Sequence, residues 1–349
     1  MMRRLLSIVV LSVSAVWCAS AQVPESAVSL DSATAARWTF ADAQQLAAQG
    51  RLDQALNVLN QLAAQTPVQP GVERLRAMIY YQKEQLQKAA DGFTRAIAQD
   101  SNDREAMEMA GITLYRLGRP ADALPYLERA NTAVESANVE PQYALGLCYL
   151  DLGRYDDARR AFAAQYGFPA DSAAAHLLAG RLFLRHDNRE QAVIEAKKAL
   201  ESNPALPRAH QLLGEIALSH EDIPGAIQEF DAELAINPLA GEVYDRLGDA
   251  YMRAGRYPEA LRALNRGVLL EPAATGPYIL LGQTLLKMNQ PIQALQYLVR
   301  AEKMDPSNSI THNLLGQAYR ATGQVQASNR EFQLVTETLH PNEAKPANK

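Results

Sequence analysis

Cysteine is nearly missing: the 349 residues hold only Cys18 and Cys148. So few thiols exclude a disulfide framework and a paired-cysteine metal motif, leaving packing to hold the chain together. Aromatic residues, at 7%, supply no stacking platform for bases. The net charge of −5, with scattered basic residues, lacks the electrostatic footprint of a nucleic-acid binder. No phosphate-cradling glycine loop, HExxH pair or nucleophile elbow occurs. Catalysis therefore has no constellation to work with, and neither a metal nor an organic cofactor is expected. What the chain has in quantity is apolar side chain, 48% of residues, enough to bury a sizeable core.

The first 21 residues read as a cleavable export signal. Arg3 and Arg4 open it, Leu5 to Trp17 is a short apolar run, and Ala19-Ser20-Ala21 supplies a small-x-small cleavage pattern. The run is too short to span a membrane comfortably as a mature helix. Trp17 is too bulky to precede a lipidated Cys18, and the arginine pair lacks the neighbours of a twin-arginine signal. Cleavage leaves Cys148 alone and the charge at −7. Between Leu147 and Tyr149, that thiol reads as a small buried side chain. Residues 22–35 read as a flexible lead-in and 343–349 as a disordered tail.

Internal repetition settles the architecture. One column reads Ala43, Ala77, Gly111, Gly146, Gly180, Gly214, Gly248, Gly282 and Gly316, in steps of 34 residues with a single step of 35. Twelve residues further on runs Ala55, Ala89, Ala123, Ala158, Ala192, Ala226, Ala260, Ala294 and Ser328. Four beyond that come Leu59, Phe93, Leu127, Phe162, Ala196, Phe230, Leu264, Leu298 and Phe332. Small residues let two helices approach closely, and the large column fills the space on the same face. Gly50, Gly118, Gly153, Gly255 and Gly323 suit the left-handed backbone that closes a first helix. Pro120, Pro224, Pro258 and Pro291 suit the start of a second helix, where no backbone donor is needed. Pro67, Pro204, Pro238, Pro272 and Pro306 end it. Two helices per period, repeated nine times, predict an all-α solenoid of antiparallel hairpins.

This pattern resembles the tetratricopeptide repeat family over residues 36–342, most clearly in 143–162 and 243–264. Three departures stand out. Ala replaces Gly in the first two repeats, Glu233 takes a normally small position, and the third repeat has one extra residue. In the last hairpin Val325, Phe332, Val335 and Leu339 read as an apolar stripe, with Gln324, Gln326, Asn329, Glu331 and Gln333 as a polar capping face. His176, His210 and His312 share one repeat position, filled between them by Tyr244 and Tyr278. Equivalent positions lie about 10 Å apart, too far for two imidazoles to share an ion at about 2 Å each. They read as hydrogen-bonded packing groups.

The resemblance implies that first helices line a concave groove, with the second, fifth, ninth and twelfth repeat positions on one face. Two stretches emerge there. Met78, Tyr81, Ile112, Tyr115, Tyr143 and Leu147 form an apolar, aromatic stretch over repeats two to four. Glu215, Glu242, Asp245 and Asp249 form an acidic one over repeats six and seven. Arg74, Glu108, Arg181 and Gln283 complete the candidate groove. A partner segment would insert apolar side chains at the first stretch and basic ones at the second. The competing readings are burial between neighbouring helices for the apolar set and simple solvation for the acids. No Lys at the fifth position and no Asn at the ninth matches the carboxylate clamp of some family members. The expected role is a non-catalytic scaffold or adaptor binding a protein or peptide, in assembly of a bacterial envelope complex, periplasmic or secreted. The alternatives are a helical-repeat RNA binder, which export and negative charge oppose, and a regulatory subunit of an enzyme complex.

Overall fold

The computed structural model describes residues 38–131 and 141–339, which form eighteen helices and, among the described residues, no strand. The expected leader, lead-in and tail lie outside them. The chain divides into two compact units between Tyr166 and Gly167. The first holds four hairpins: α1 (Phe40–Ala48) with α2 (Leu52–Ala63), α3 (Val72–Gln82) with α4 (Leu86–Gln99), α5 (Arg104–Arg116) with α6 (Pro120–Asn131), and α7 (Pro141–Asp151) with α8 (Tyr155–Gln165). The second holds five. Its first helices are α9 (Ala173–Arg185), α11 (Ala209–Ser219), α13 (Gly241–Arg253), α15 (Thr275–Lys287) and α17 (Ser309–Ala321). Their partners are α10 (Arg189–Ser202), α12 (Ile223–Ile236), α14 (Tyr257–Leu270), α16 (Pro291–Met304) and α18 (Val325–Leu339).

The repeat columns meet inside each hairpin. A Cβ added to Gly146 would stand 2.3 Å from Cε1 of Phe162, and one on Gly248 would stand 2.4 Å from Cγ of Leu264. Both large partners are fully buried, so the small residue is what lets its partner seat. The fifth hairpin solves the problem differently. There the large column holds Ala196, and the atom nearest a Cβ on Gly180 is Cδ2 of Leu212, at 3.0 Å, from the next hairpin. Leu212 fills the space that Ala196 leaves.

The turn between paired helices demands left-handed backbone whatever residue stands there. Gly50, Gly118, Gly153, Gly255 and Gly323 adopt φ of 73–77°. Where glycine is missing, Glu84, Asp187, Glu221 and Asn289 adopt 56–62°. The carbonyls are satisfied alike: Arg256 N donates to Tyr251 O at 2.9 Å, and Asp222 N donates to Ala217 O at 3.0 Å. Because a side chain is disfavoured at such φ by roughly 1 kcal/mol or more, Glu221→Gly is expected to raise stability by about 1 kcal/mol. Urea unfolding of the two proteins, compared at equal m-value, reads this directly.

Within each unit the first helices of successive hairpins touch: α1 with α3, α3 with α5 and α5 with α7, then α9 with α11, α11 with α13, α13 with α15 and α15 with α17. Second helices show no comparable pairing among the described residues. Helices closer on one side than the other curve the stack, so the first-helix face is the inner one in each unit. No described helix is long and apolar enough to cross a membrane.

The last hairpin departs from its expected stripe. Val325 is 60% exposed, whereas Glu331, expected on the polar face, is 7% exposed. Helix α18 turns Glu331 inward because His312 of α17 waits for it at 2.7 Å. The side chain of Leu339 lies outside the described residues.

Candidate functional site

The fifth, ninth and twelfth positions do fall on the inner helices, but that face also touches the neighbouring first helix, which removes part of it from solvent. Tyr81 is 8% exposed and Leu147 is 3% exposed. Tyr81 belongs to a core cluster with Phe93 and Met107, against which Met78 and Ile112 pack. Tyr115 packs on the next cluster, and its hydroxyl pKa is raised chiefly by burial, then by Asp151. The Tyr143 ring sits 5.6 Å from that of Phe162. Tyr81 and Leu147 are thus sealed in the packing and offer a ligand no surface. The rest of the apolar stretch is half-buried.

Charged members of the first unit are also paired. Arg74 Nη1 meets Asp103 at 3.0 Å and Glu105 at 3.1 Å. Glu108, expected in the groove, is 3% exposed and accepts from Arg104 at 3.1 Å. Burial holds its carboxyl above the usual range, the Arg104 charge opposing.

The acidic stretch of the second unit is more informative. Glu242 pairs with Arg208 at 3.1 Å, and Asp249 with Arg253 at 2.9 Å. Glu215 accepts from Gln211 Nε2 at 3.0 Å. Three of the four acids are therefore already answered within the chain. Asp245 is not: its Oδ1 is fully buried and has no hydrogen-bond partner. That oxygen points at Gly267 of α14, where an added Cβ would stand 2.1 Å from it. Gln211 occupies the same repeat position one hairpin earlier and is 4% exposed. Because its Nε2 is committed to Glu215, its free atom is an acceptor, Oε1, which is also buried without a partner. Two adjacent repeats thus present unmet acceptors at one position. Beside them Arg181 donates to the Arg208 carbonyl at 3.3 Å, and burial, with Arg208 close by, lowers its pKa.

Burial, then the neighbouring Glu271, pushes Asp245 up to about 7. In the unfolded chain an aspartate ionises near its ordinary value, about 3.9. The folded state therefore binds the proton more tightly. Stability is undiminished below pH 4 and falls as pH rises from about 4 through about 7. Asp245→Asn is expected to remove that fall. Solvent screening limits the gain at pH 8 to about 1–2 kcal/mol. Melts of both proteins at pH 4.5 and pH 8 check the sign, and an equal slope with pH would refute it.

The three histidines are hydrogen-bonded packing groups, as the sequence reading had them, but it missed their partners, which clamp the paired helices together. His176, His210 and His312 each meet a glutamate nineteen residues on, Glu195, Glu229 and Glu331, at 2.7 Å through Nδ1. Where tyrosine replaces histidine, the nineteenth residue is Ala263 or Tyr297. The tyrosine hydroxyl then donates to a proline carbonyl, Tyr244 to Pro238 at 3.4 Å and Tyr278 to Pro272 at 3.3 Å. This co-occurrence was the available signal. Cys148 is fully buried, and burial, with Asp151 adding, pushes its thiol up to about 12, so it carries no thiolate chemistry. Gln283 lines an open recess of about 420 Å³ with Ile310, Asn313 and Gln317.

Hairpins of this period, stacked through their first helices, define an all-α helical-repeat protein. A model of the tetratricopeptide repeat matches residues 40–104, 108–175, 177–241 and 279–342, and a second matches 241–274. The chain belongs to the tetratricopeptide repeat family. No curated protein matches it. Similar solved structures include MamA from Desulfovibrio magneticus RS-1, 22% identical, covering 50% of this chain and 98% of its own, with a TM-score of 0.47. Pseudomonas aeruginosa pilF is 19% identical, covering 58% of this chain and 91% of its own, with a TM-score of 0.47. YrrB, a TPR protein with an unusual peptide-binding site, is 19% identical, covering 53% of this chain and 94% of its own, with a TM-score of 0.46.

Proposed function

We propose that this chain is a non-catalytic scaffold, and that the inner face of its second unit binds a partner protein or peptide through donor groups. The observation that carries the reading is the row of carboxylates on α11 and α13, Glu215, Glu242 and Asp249, of which Glu242 is half exposed and paired with the equally exposed Arg208. An ion pair as exposed as that one is worth about 0–1 kcal/mol, so a basic partner segment can take the place of Arg208 at Glu242 with little loss. Carboxylates on one face of these two inner helices favour a lysine- or arginine-bearing segment. The opening 21 residues support placing this work in the periplasm or outside a bacterial cell, in assembly of an envelope complex.

The test uses a photo-crosslinking residue at Asp249 on α13, compared with one at Gln228, exposed on α12. The exported protein is expected to capture one defined protein from Asp249 only, with the yield falling in high salt and in Glu242→Lys, a change at an exposed position. Equal capture from both positions, or capture indifferent to Glu242→Lys, overturns the reading. Capture of RNA instead would transfer it to nucleic-acid recognition.

A further inference from the structure

Glu302 stands where the three preceding hairpins place Leu200, Leu234 and Val268. It lies near the end of α16, half-buried, and no hydrogen bond or ion pair holds it among the described residues. A ligand oxygen of Glu302, a ring nitrogen of His312 and a carboxyl oxygen of Glu331 all lie within 4.8 Å of one another. The repeat itself accounts for His312 and Glu331, since the same 2.7 Å clamp joins His210 to Glu229, with Leu200 in the place of Glu302. It does not account for a second carboxyl brought to the clamp.

The imidazole is oriented as a metal-binding histidine is. Its Nε2 lies 2.8 Å from the Pro306 carbonyl, which can only accept, so Nε2 carries the proton. Nδ1 then faces the two carboxyls with its lone pair once the proton shared with Glu331 is gone. A ring N–H fixed by a backbone carbonyl is the usual outer support of a ligating histidine. Two carboxylates and one neutral imidazole sum to two negative charges, matching a doubly charged cation. Mixed nitrogen and oxygen donors suit zinc rather than calcium or magnesium, which take oxygen alone.

We propose that Glu302, His312 and Glu331 form a site for a divalent transition-metal cation of the zinc class in the last two hairpins. His312 Nδ1 and one oxygen from each carboxyl are the protein ligands, and water fills the remaining position. Binding parts His312 from Glu331 by a few tenths of an ångström, because two donors each about 2.0 Å from zinc stand about 3 Å or more apart. The shared proton leaves to solvent as the ion enters. The sequence reading excluded one ion shared between equivalent histidines; this site needs only one histidine.

Two variants written in the repeat's own vocabulary keep folding separate from binding. Glu302→Leu restores the residue of the preceding hairpins. The double variant His312→Tyr with Glu331→Ala transplants the Tyr244 and Ala263 combination. Calorimetric titration of the untagged full chain with Zn²⁺ is expected to show one ion per chain in the micromolar range. Glu302→Leu should weaken it about tenfold or more, and the double variant should abolish it, both with unchanged helical circular dichroism. Co²⁺ should give the visible absorption of a four-coordinate site, and excess Mg²⁺ should not compete. No uptake by the parent protein, or uptake that Glu302→Leu leaves unchanged, overturns the proposal.

Discussion

Phe230→Ala is expected to lower stability by about 3–5 kcal/mol, the largest loss of any single truncation considered. Phe230 is fully buried, and its ring is the group nearest a Cβ placed on Gly214, at 2.6 Å. The void left behind is walled by Leu218, Val243 and Leu247 of two further helices, all buried in the same cluster. The fifth hairpin gives the internal control. Ala196 is native there because Leu212 leans in from the next hairpin, so Leu212→Ala is expected to lose about 2–5 kcal/mol by the same mechanism. Enlarging Ala196 to Phe should overpack the site instead, by about 1–3 kcal/mol. Denaturant unfolding followed by circular dichroism checks all three. A Phe230→Ala protein within 1 kcal/mol of the parent would mean that neighbours close the void, contrary to the packing described.

Glu233→Ala is the second large effect, and its sign is the point. Glu233 occupies a position held by Ala96, Ala130, Ala199 and Ala301 in other hairpins, so a rule of repeat consensus predicts that alanine stabilises. Its surroundings predict the opposite. Glu233 is fully buried on α12, and its carboxyl accepts from the backbone N–H of Arg208 at 2.7 Å and of Gln211 at 3.3 Å. Those groups open α11, whose N-cap, Arg208, takes φ of 71° and supplies no side-chain cap. Glu233 does the capping from the neighbouring helix. Alanine would leave two helix-end donors without a partner, a loss of about 2–4 kcal/mol. Thermal melts decide between the two signs, and a rise in Tm would show that the cap is dispensable.

The period and the hairpin were legible because each depends on a steric column repeated nine times, whereas the inner position of the first helices followed from the family resemblance. A column of Ala or Gly opposite one of Leu or Phe needs no three-dimensional knowledge to interpret. The candidate groove was legible only in part. Helical spacing tells which side chains share a face, but a first helix in a stacked hairpin meets its own partner and both neighbouring hairpins. Tyr81 and Leu147 fall on the line of contact, and Met78 packs beside it. Spacing alone assigns them all to one surface. Glu108 fails for a related reason, being drawn into the packing by Arg104 one turn away. The unmet acceptors at Gln211 and Asp245 depend on what stands opposite: Glu233 holds the N–H of one, and Gly267 leaves room that the carboxyl of the other fills. No single-helix pattern encodes that. The histidine clamps were encoded, as a nineteen-residue offset to glutamate, but an offset that crosses from one helix to the next escapes a search along helix faces.

Because inner helices reach only the hairpins on either side, damage cannot be shared out along a unit. Among the described residues the α17–α18 hairpin has one flank to lean on, whereas interior counterparts have two, so its amide protons should exchange with deuterium sooner than those of α13 and α14. The same arrangement makes length an easy variable for evolution. A hairpin duplicated or deleted whole disturbs two junctions and leaves every other junction as it was.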